Sequence, residues 1–417
     1  LARFVPEWQG VTGRRARGLD GLTRAVEQLA GVPLPASALE SLILPGRVAD
    51  YSPAMLDELT IAGEVLWAGA GALSGNDGWI VLTPADAAAV LLPDPVDVAG
   101  ELHAALRAAL DGDQALFFRA LADRCDPTAT DADIATAVWD LVWAGWLTND
   151  TIAPVRSLLG SGTRTAHRRA PRPPRARYGR YSGLTAPGPA RSVPPAMAGR
   201  WSRLPTREPD PTRRTLAIAE ALLDRHGVVT RGAVTAERVS GGFAAVYPVL
   251  KAAEEAGRAR RGYFVDGLGA AQFALPGAVD RLRSHAREPD AAPALVLAAT
   301  DPANPYGAAL PWPERPVGDD GKRGHQAARK AGALTVLVSG RCVLYVERGG
   351  RTLLSFAEDA DLLQPAADAL ALAVRDGALG KLSVERADGA PVVTSPLGEA
   401  LEAAGFRPTP RGLRLGG

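Results

Sequence analysis

Apolar residues recur at helical spacing from Gly18 to Leu29, at Leu19, Leu22, Val26 and Leu29, and Gly31-Val32-Pro33 closes the run. A second helix is predicted from Ser37 to Ile43 and a third from about Ala54 to Ala62, ended by Gly63. Glu64 to Ala68 and Trp79 to Leu82 then read as strands joined around Ser74-Gly75-Asn76-Asp77-Gly78, residues that tolerate positive φ. Helices followed by a small hairpin are the element order of a winged helix, a helix-turn-helix variant.

The same pattern recurs. An apolar helix ends at Ala-Gly and passes into a strand at Leu59 to Trp67, at Leu141 to Thr148 and at Leu250 to Val265. Glycine is the usual left-handed residue after a helix. The spacing is irregular, which predicts a tandem array of winged helices and not a solenoid. The predicted units cover 1–92, 93–159 and 207–276. Between the last two lies 160–206, where Arg, Pro and Gly dominate without hydrophobic period, as in a linker or a strap laid on the surface. From 277 to 417 the pattern changes to short strands, Leu334 to Val338 and Cys342 to Glu347 among them, with helices late in the segment at Gln364 to Arg375 and Ser395 to Ala404. The expected class is α+β: tandem winged helices followed by a small β-barrel module with late helices.

Composition narrows the function classes. The chain has 417 residues, 47% of them hydrophobic and 22% charged, enough for several cores. Cys125 and Cys342 stand far apart without nearby His or Cys, so neither a disulfide framework nor a thiolate zinc site is indicated, and a cytoplasmic setting is expected. No apolar run reaches membrane-spanning length. The net charge of +1 hides segregation: 161–214 is crowded with arginine and holds Glu208 and Asp210 as its acids. Such a stretch suits a polyanion. In it Arg164, Arg168, Arg169, Arg172, Arg175, Arg177 and Arg180 interleave with Tyr178 and Tyr181, a pattern for phosphate pairing and base stacking. The third unit adds Arg258, Arg260 and Arg261 before Tyr263 in a predicted wing, with Tyr247 and Lys251 one turn apart on the predicted recognition helix.

The stretch Leu295 to Pro313 is the chemical candidate. A strand breaks at Asp301-Pro302 and enters a loop carrying Asn304, Tyr306 and Trp312. Proline biases its predecessor toward extended backbone, so Asp301 is expected at the mouth of a loop, facing a groove. Tyr306 and Trp312 would stack on an extruded base, and Lys322, Arg323, His325, Arg329 and Lys330 would meet the flanking phosphates.

Long segments carry a resemblance: LPGRVADYSPAMLDELTIAGEVLWAG, GRWSRL, GGFAAVYPVLKAAEEAGRARRGYFVDGLGAAQF and DPANPYGAALPWP. They resemble the carboxy-terminal region of the bacterial large helicase-related (Lhr) family along nearly the whole chain. The resemblance implies winged helices ending in a barrel, similar to the AlkZ group of DNA glycosylases, and a helicase core elsewhere in the same polypeptide. ATP and Mg belong to that core; no GxxxxGK[ST] loop occurs here and no cofactor is expected in this chain. It further implies uracil removal by an aspartate, by motif position Asp301, set in Ala299-Thr300-Asp301, where the acid of the AlkZ-type motif is kept and the glutamine is not. A carboxylate there would activate water and stabilise the oxocarbenium-like transition state without metal. Two functions remain open: a monofunctional glycosylase module acting on uracil or another damaged base, and a non-catalytic module that binds DNA and joins helicase subunits. The expected partner is DNA, single-stranded or damaged duplex; the non-catalytic reading predicts a homo-oligomer; and a nucleoid-associated location in the cytoplasm with no membrane is expected.

Overall fold

A computed structural model describes the chain except residues 126–127, 162–192, 270, 287–293, 315–324 and 417. The first winged-helix unit begins with the helix Gly18–Leu29, whose Leu22, Val26 and Leu29 are fully buried along one stripe. A strand, Leu34–Pro35, leads into an interrupted helical run whose middle turn, Leu39–Ile43, is a π-helix and whose end is Leu44–Arg47. The helix Pro53–Ile61 and the hairpin Val65–Leu73 with Asp77–Pro84 complete the unit. The hairpin is longer than its hydrophobic alternation predicts. Its first strand continues through Ala-Gly-Ala-Gly-Ala, which carries no two-residue period.

The second unit holds Glu101–Ala109, a strand Ala115–Phe117, and the helix Asp131–Trp143, started by a capping box between Thr130 and Asp133. Its central strand is Arg200–Arg203, paired with Ala115–Phe117 on one side and Leu147–Asn149 on the other. That strand falls inside the expected linker 160–206, so the second unit does not end at 159. Trp201 on it is fully buried. One four-residue strand among prolines, far in sequence from its partners, has too little pattern to be read locally. The arginines expected in the strap, Arg164 to Arg180, lie outside the described residues.

The first two units share one core. Trp67 Nε1 donates to the Asn149 carbonyl at 2.9 Å and Thr148 Oγ1 to the Trp67 carbonyl at 2.7 Å. A Cβ on Gly69 would sit 2.2 Å from the Val142 carbonyl oxygen, so this backbone approach requires glycine.

The third unit runs through Pro211–His226, Val228–Val229, Arg231–Ala236, Gly242–Glu255 and the wing strands Arg260–Gly262 and Gln272–Ala274. After it, six strands form a sheet in the order Leu295–Ala298, Leu334–Val338, Arg341–Val346, Thr352–Ser355, Arg386–Ala387, Ala390–Pro391. Among the described residues no pair joins the first strand to the last, so the expected barrel is an open sheet, with the helix Ala360–Arg375 packed on it.

That helix also opens a last unit. The strand Leu382–Val384, the helix Pro396–Ala403 and the hairpin Arg407–Thr409 with Gly412–Leu415 follow it, and the final strand lies between the other two. The first three units place their strands in this same first–third–second order. The late helices are therefore the frame of a further winged-helix-like unit, whose wing is the hairpin Arg407–Thr409 with Gly412–Leu415. No helix among the described residues is long and apolar enough to cross a membrane.

Candidate functional site at the Asp301 junction

Asp301 follows the strand Leu295–Ala298 and starts a loop held by polar bonds. Its Oδ1 accepts from the Ala303 amide at 2.8 Å. Asn304 Nδ2 donates to the Ala299 carbonyl at 2.9 Å, while its Oδ1 accepts from the Tyr306 amide at 3.1 Å. The Arg329 guanidinium donates to the carbonyls of Thr300, Asp301, Asn304 and Tyr306 at 2.7–3.2 Å. Burial pulls the Arg329 pKa down to about 10, against the opposing pull of the Asp301 and Glu237 carboxylates.

The Asp301 carboxylate does not face a groove. It is 1% exposed, and Arg47 of the first unit, itself 2% exposed, meets it with both nitrogens, Nη2 to Oδ1 at 2.7 Å and Nη1 to Oδ2 at 3.1 Å. Arg47 also donates to Gln9 Oε1 at 2.6 Å and to the Ile43 carbonyl at 3.0 Å. The expectation of an open carboxylate fails for a reason the chain before residue 300 supplies. An arginine 254 positions away neutralises it. Arg47 and Gln9 are the junction residues that sequence reading missed, since neither carries a local signal.

The other predicted contacts divide. Tyr306 donates its hydroxyl to the Gly340 carbonyl at 2.8 Å and stacks on Trp312, which meets Tyr345 edge-on at 5.5 Å. Both rings pack on the sheet's flank and are partly buried there. Arg329 braces the loop and is not placed as an open phosphate contact, while Lys330 pairs with Glu347 at 2.9 Å with its side chain still exposed. His325 is exposed, and Lys322 and Arg323 lie outside the described residues.

On the third unit, Tyr247 packs on Phe243 and Phe273, and its hydroxyl accepts from Arg261, which also pairs with Glu254. Lys251 and Arg258 pair with Glu255 and Glu220. Arg260 and Tyr263 are exposed, Tyr263 by 82%, Arg260 at the start of the first wing strand and Tyr263 just past its end.

A cleft of about 210 Å³ opens beside the junction, where the first unit, the third unit and the Asp301 loop meet. Trp79 and Pro33 line one wall, Glu237 and Arg238 another, Thr300 and Arg329 the floor. The third unit is pressed onto the loop here: a Cβ on Gly232 would lie 2.1 Å from the Ala308 carbonyl oxygen. Glu237 accepts from Arg225 at 2.7 and 2.8 Å and lies 2.6 Å from His226 Nε2. Arg225 in turn donates to the Gln28 and Ala30 carbonyls of the first unit. Burial pushes the Glu237 carboxyl up, but the charges of Arg225 and His226 outweigh it and hold the pKa at about 2.

A depressed carboxyl stabilises the fold at pH values above its ordinary 4.5 and ceases to do so as pH falls through about 2. Thermal melts followed by circular dichroism from pH 6 to pH 2 are expected to show Glu237→Gln and wild type converging as acid is added. A difference that stays constant across this window contradicts the assignment.

Among the described residues no three His, Cys, Asp or Glu side chains gather to hold a metal. The architecture is a set of winged helices disposed about a mixed sheet. It superposes on the Streptomyces sahachiroi DNA glycosylase AlkZ with a TM-score of 0.51 at 14% identity, over 92% of this chain and 98% of that one. In sequence, residues 1–85 and 208–294 each match a winged-helix domain of the large helicase-related protein. The chain is 48% identical over 99% of its length to a Mycolicibacterium smegmatis protein named Lhr helicase/probable uracil glycosylase. It is 39% identical over 96% of its length to the Escherichia coli Lhr helicase/uracil glycosylase. The chain belongs to the large helicase-related protein family, and it spans 28% and 26% of the lengths of these two relatives, matching their carboxy-terminal part.

Proposed function

We propose that this chain is the DNA-binding, base-excising portion of a helicase-linked repair protein, acting on uracil or a similar damaged base by hydrolysis of the N-glycosidic bond. The observation that carries the reading is continuous similarity, across almost every residue of the chain, to two proteins named for uracil glycosylase activity. DNA runs across the exposed wings, meeting Arg260 and Tyr263 among their residues. Asp301 is a positioning residue: paired with Arg47, it fixes the backbone of Thr300 and Pro302, which lines the cleft. ATP and Mg act at the motor of the longer polypeptide.

The chain incubated with a uracil-containing single strand is expected to leave an alkali-labile abasic site. Arg260→Ala is expected to weaken binding evenly across sequences and to reduce the slope of log affinity against log salt by about 1. A chain that binds the strand with salt dependence but releases no base contradicts excision.

A second reading is favoured by the sealed Asp301 carboxylate: a non-catalytic module that binds DNA and joins copies of the helicase. It requires a concentration-dependent homo-oligomer by light scattering together with absent base release. A monomer at every concentration counts against it.

A further inference from the structure

The three strands of the last unit turn one face to its core, where Leu382, Val384, Leu413 and Leu415 are buried, and the other face outward. On the outward face the registers set Arg407 and Ser383 directly opposite Arg414, one on each side of the central strand. Both arginines are exposed, and among the described residues no carboxylate pairs with either. Like charges directly opposite each other destabilise a sheet, so this pair weakens its own hairpin until an anion lies over it. The hairpin's turn is firmly made. Thr409 Oγ1 donates to the Gly412 carbonyl at 2.9 Å and accepts from the Arg411 amide at 3.4 Å. A Cβ on Gly412, whose φ is 142°, would lie 2.1 Å from the Val384 carbonyl oxygen, so the turn is pressed onto the neighbouring strand.

Between this turn and Arg351, which precedes the strand Thr352–Ser355, opens a groove of about 370 Å³. Arg351, Arg411 and Arg414 line it against one carboxylate, Glu385, which already faces Arg351 at 3.7 Å. The groove is therefore strongly positive, with Arg407 beside it. No aromatic ring lines it, and neither does any of the exposed large apolar side chains of the described residues. Base stacking needs the first and a docked peptide helix needs the second; a row of phosphates needs neither.

We propose that this groove and the arginine face beside it grip the sugar-phosphate backbone of duplex DNA. The site shares no lining residue with the cleft at the Asp301 junction and does not depend on base release. Phosphates over Arg407 and Arg414 relieve their mutual repulsion, while Arg411 and Arg351 hold the same backbone from the rim of the groove. Such contacts reach no base edge, so the site accepts any sequence.

The test uses the full chain, an undamaged duplex and fluorescence anisotropy across a salt series. Arg414→Thr is expected to lower the slope of log affinity against log salt by about 1 and to weaken binding about sixfold at about 0.15 M salt, the factor that slope gives relative to about 1 M. Its melting temperature without DNA is expected to equal or exceed that of wild type, since the cross-strand repulsion is gone. Arg414→Lys keeps the charge and is expected to keep the slope. A merely structural arginine would lower stability and leave the slope alone. The triple variant Arg407→Thr, Arg411→Ser, Arg414→Thr is expected to lower the slope by about 3, with uracil release from a short, saturating single strand unchanged. A wild-type slope in the triple variant overturns the assignment. Fluorescent polyglutamate bound more tightly than duplex, and lost in the triple variant, also overturns it and makes the groove a site for an acidic protein segment. If the triple variant loses slope and wild type releases no base, the groove assignment stands and the excision reading fails.

Discussion

Asp301→Asn is expected to destabilise the chain by about 3–5 kcal/mol, because it leaves the Arg47 guanidinium buried without a counter-charge. Both partners are almost wholly buried and joined by two bonds, so solvent screening relieves little of the loss. Arg47→Met is expected to cost a similar amount, stranding the carboxylate instead. The double replacement Arg47→Met with Asp301→Leu should cost much less than the sum, since two apolar side chains of similar size satisfy one another. Urea melts of the four proteins measure the coupling. Additive losses would show that the pair does not hold the junction.

The second large effect is expected at Arg329. Its guanidinium serves four backbone carbonyls of the Asp301 loop at once; the Asp301 carbonyl also accepts from the Asn304 amide, but no other donor is shown for the Thr300 carbonyl. A hydrogen bond to a charged donor is worth roughly 1.5–3 kcal/mol, and water entering the vacated space replaces part of what is lost. Arg329→Ala is therefore expected to cost about 3 kcal/mol and to raise amide exchange from Ala303 to Tyr306 above that of the sheet. Arg329→Lys, a point charge without the fork, should recover a minor share. Wild-type exchange in Arg329→Ala would mean that the loop holds itself without the guanidinium.

Much of the architecture was legible in the residues. Leu22, Val26 and Leu29 announced the first helix, and the Ala-Gly helix ends at Gly63, Gly145 and Gly257 marked units that the structure contains. Three features were hidden. The strand around Trp201 has four residues and pairs across a long insertion, so its signal is tertiary. The final hairpin Arg407–Leu415 is short and studded with arginine, and reads as a tail until the sheet is seen. The barrel was expected from short successive strands, which specify a meander but not its closure, and the described strands show no closure.

The candidate site was legible in position and not in geometry. Proline behind Asp301 and the Asn304 turn marked the loop correctly, and the cleft does open beside it. The direction of the carboxylate depends on Arg47, and the role of Arg329 depends on carbonyls that no motif displays. Aromatic residues next to an acid looked like a base platform, yet Tyr306 and Trp312 turn into the sheet's flank, and the cleft's aromatic face is Trp79 from a different unit. Charge runs misled similarly. Of the cations singled out on the third unit, Lys251, Arg258 and Arg261 balance acids of their own unit.

Uracil release by wild type and by the folded Arg47→Met, Asp301→Leu double variant, measured on the same strand, is the most direct test. Comparable rates are the predicted result, because the ion pair holds the loop and touches no DNA. Release by wild type with none from a folded, DNA-binding double variant would make Asp301 part of the chemistry, and release by neither would leave a module that binds DNA without cutting a base from it.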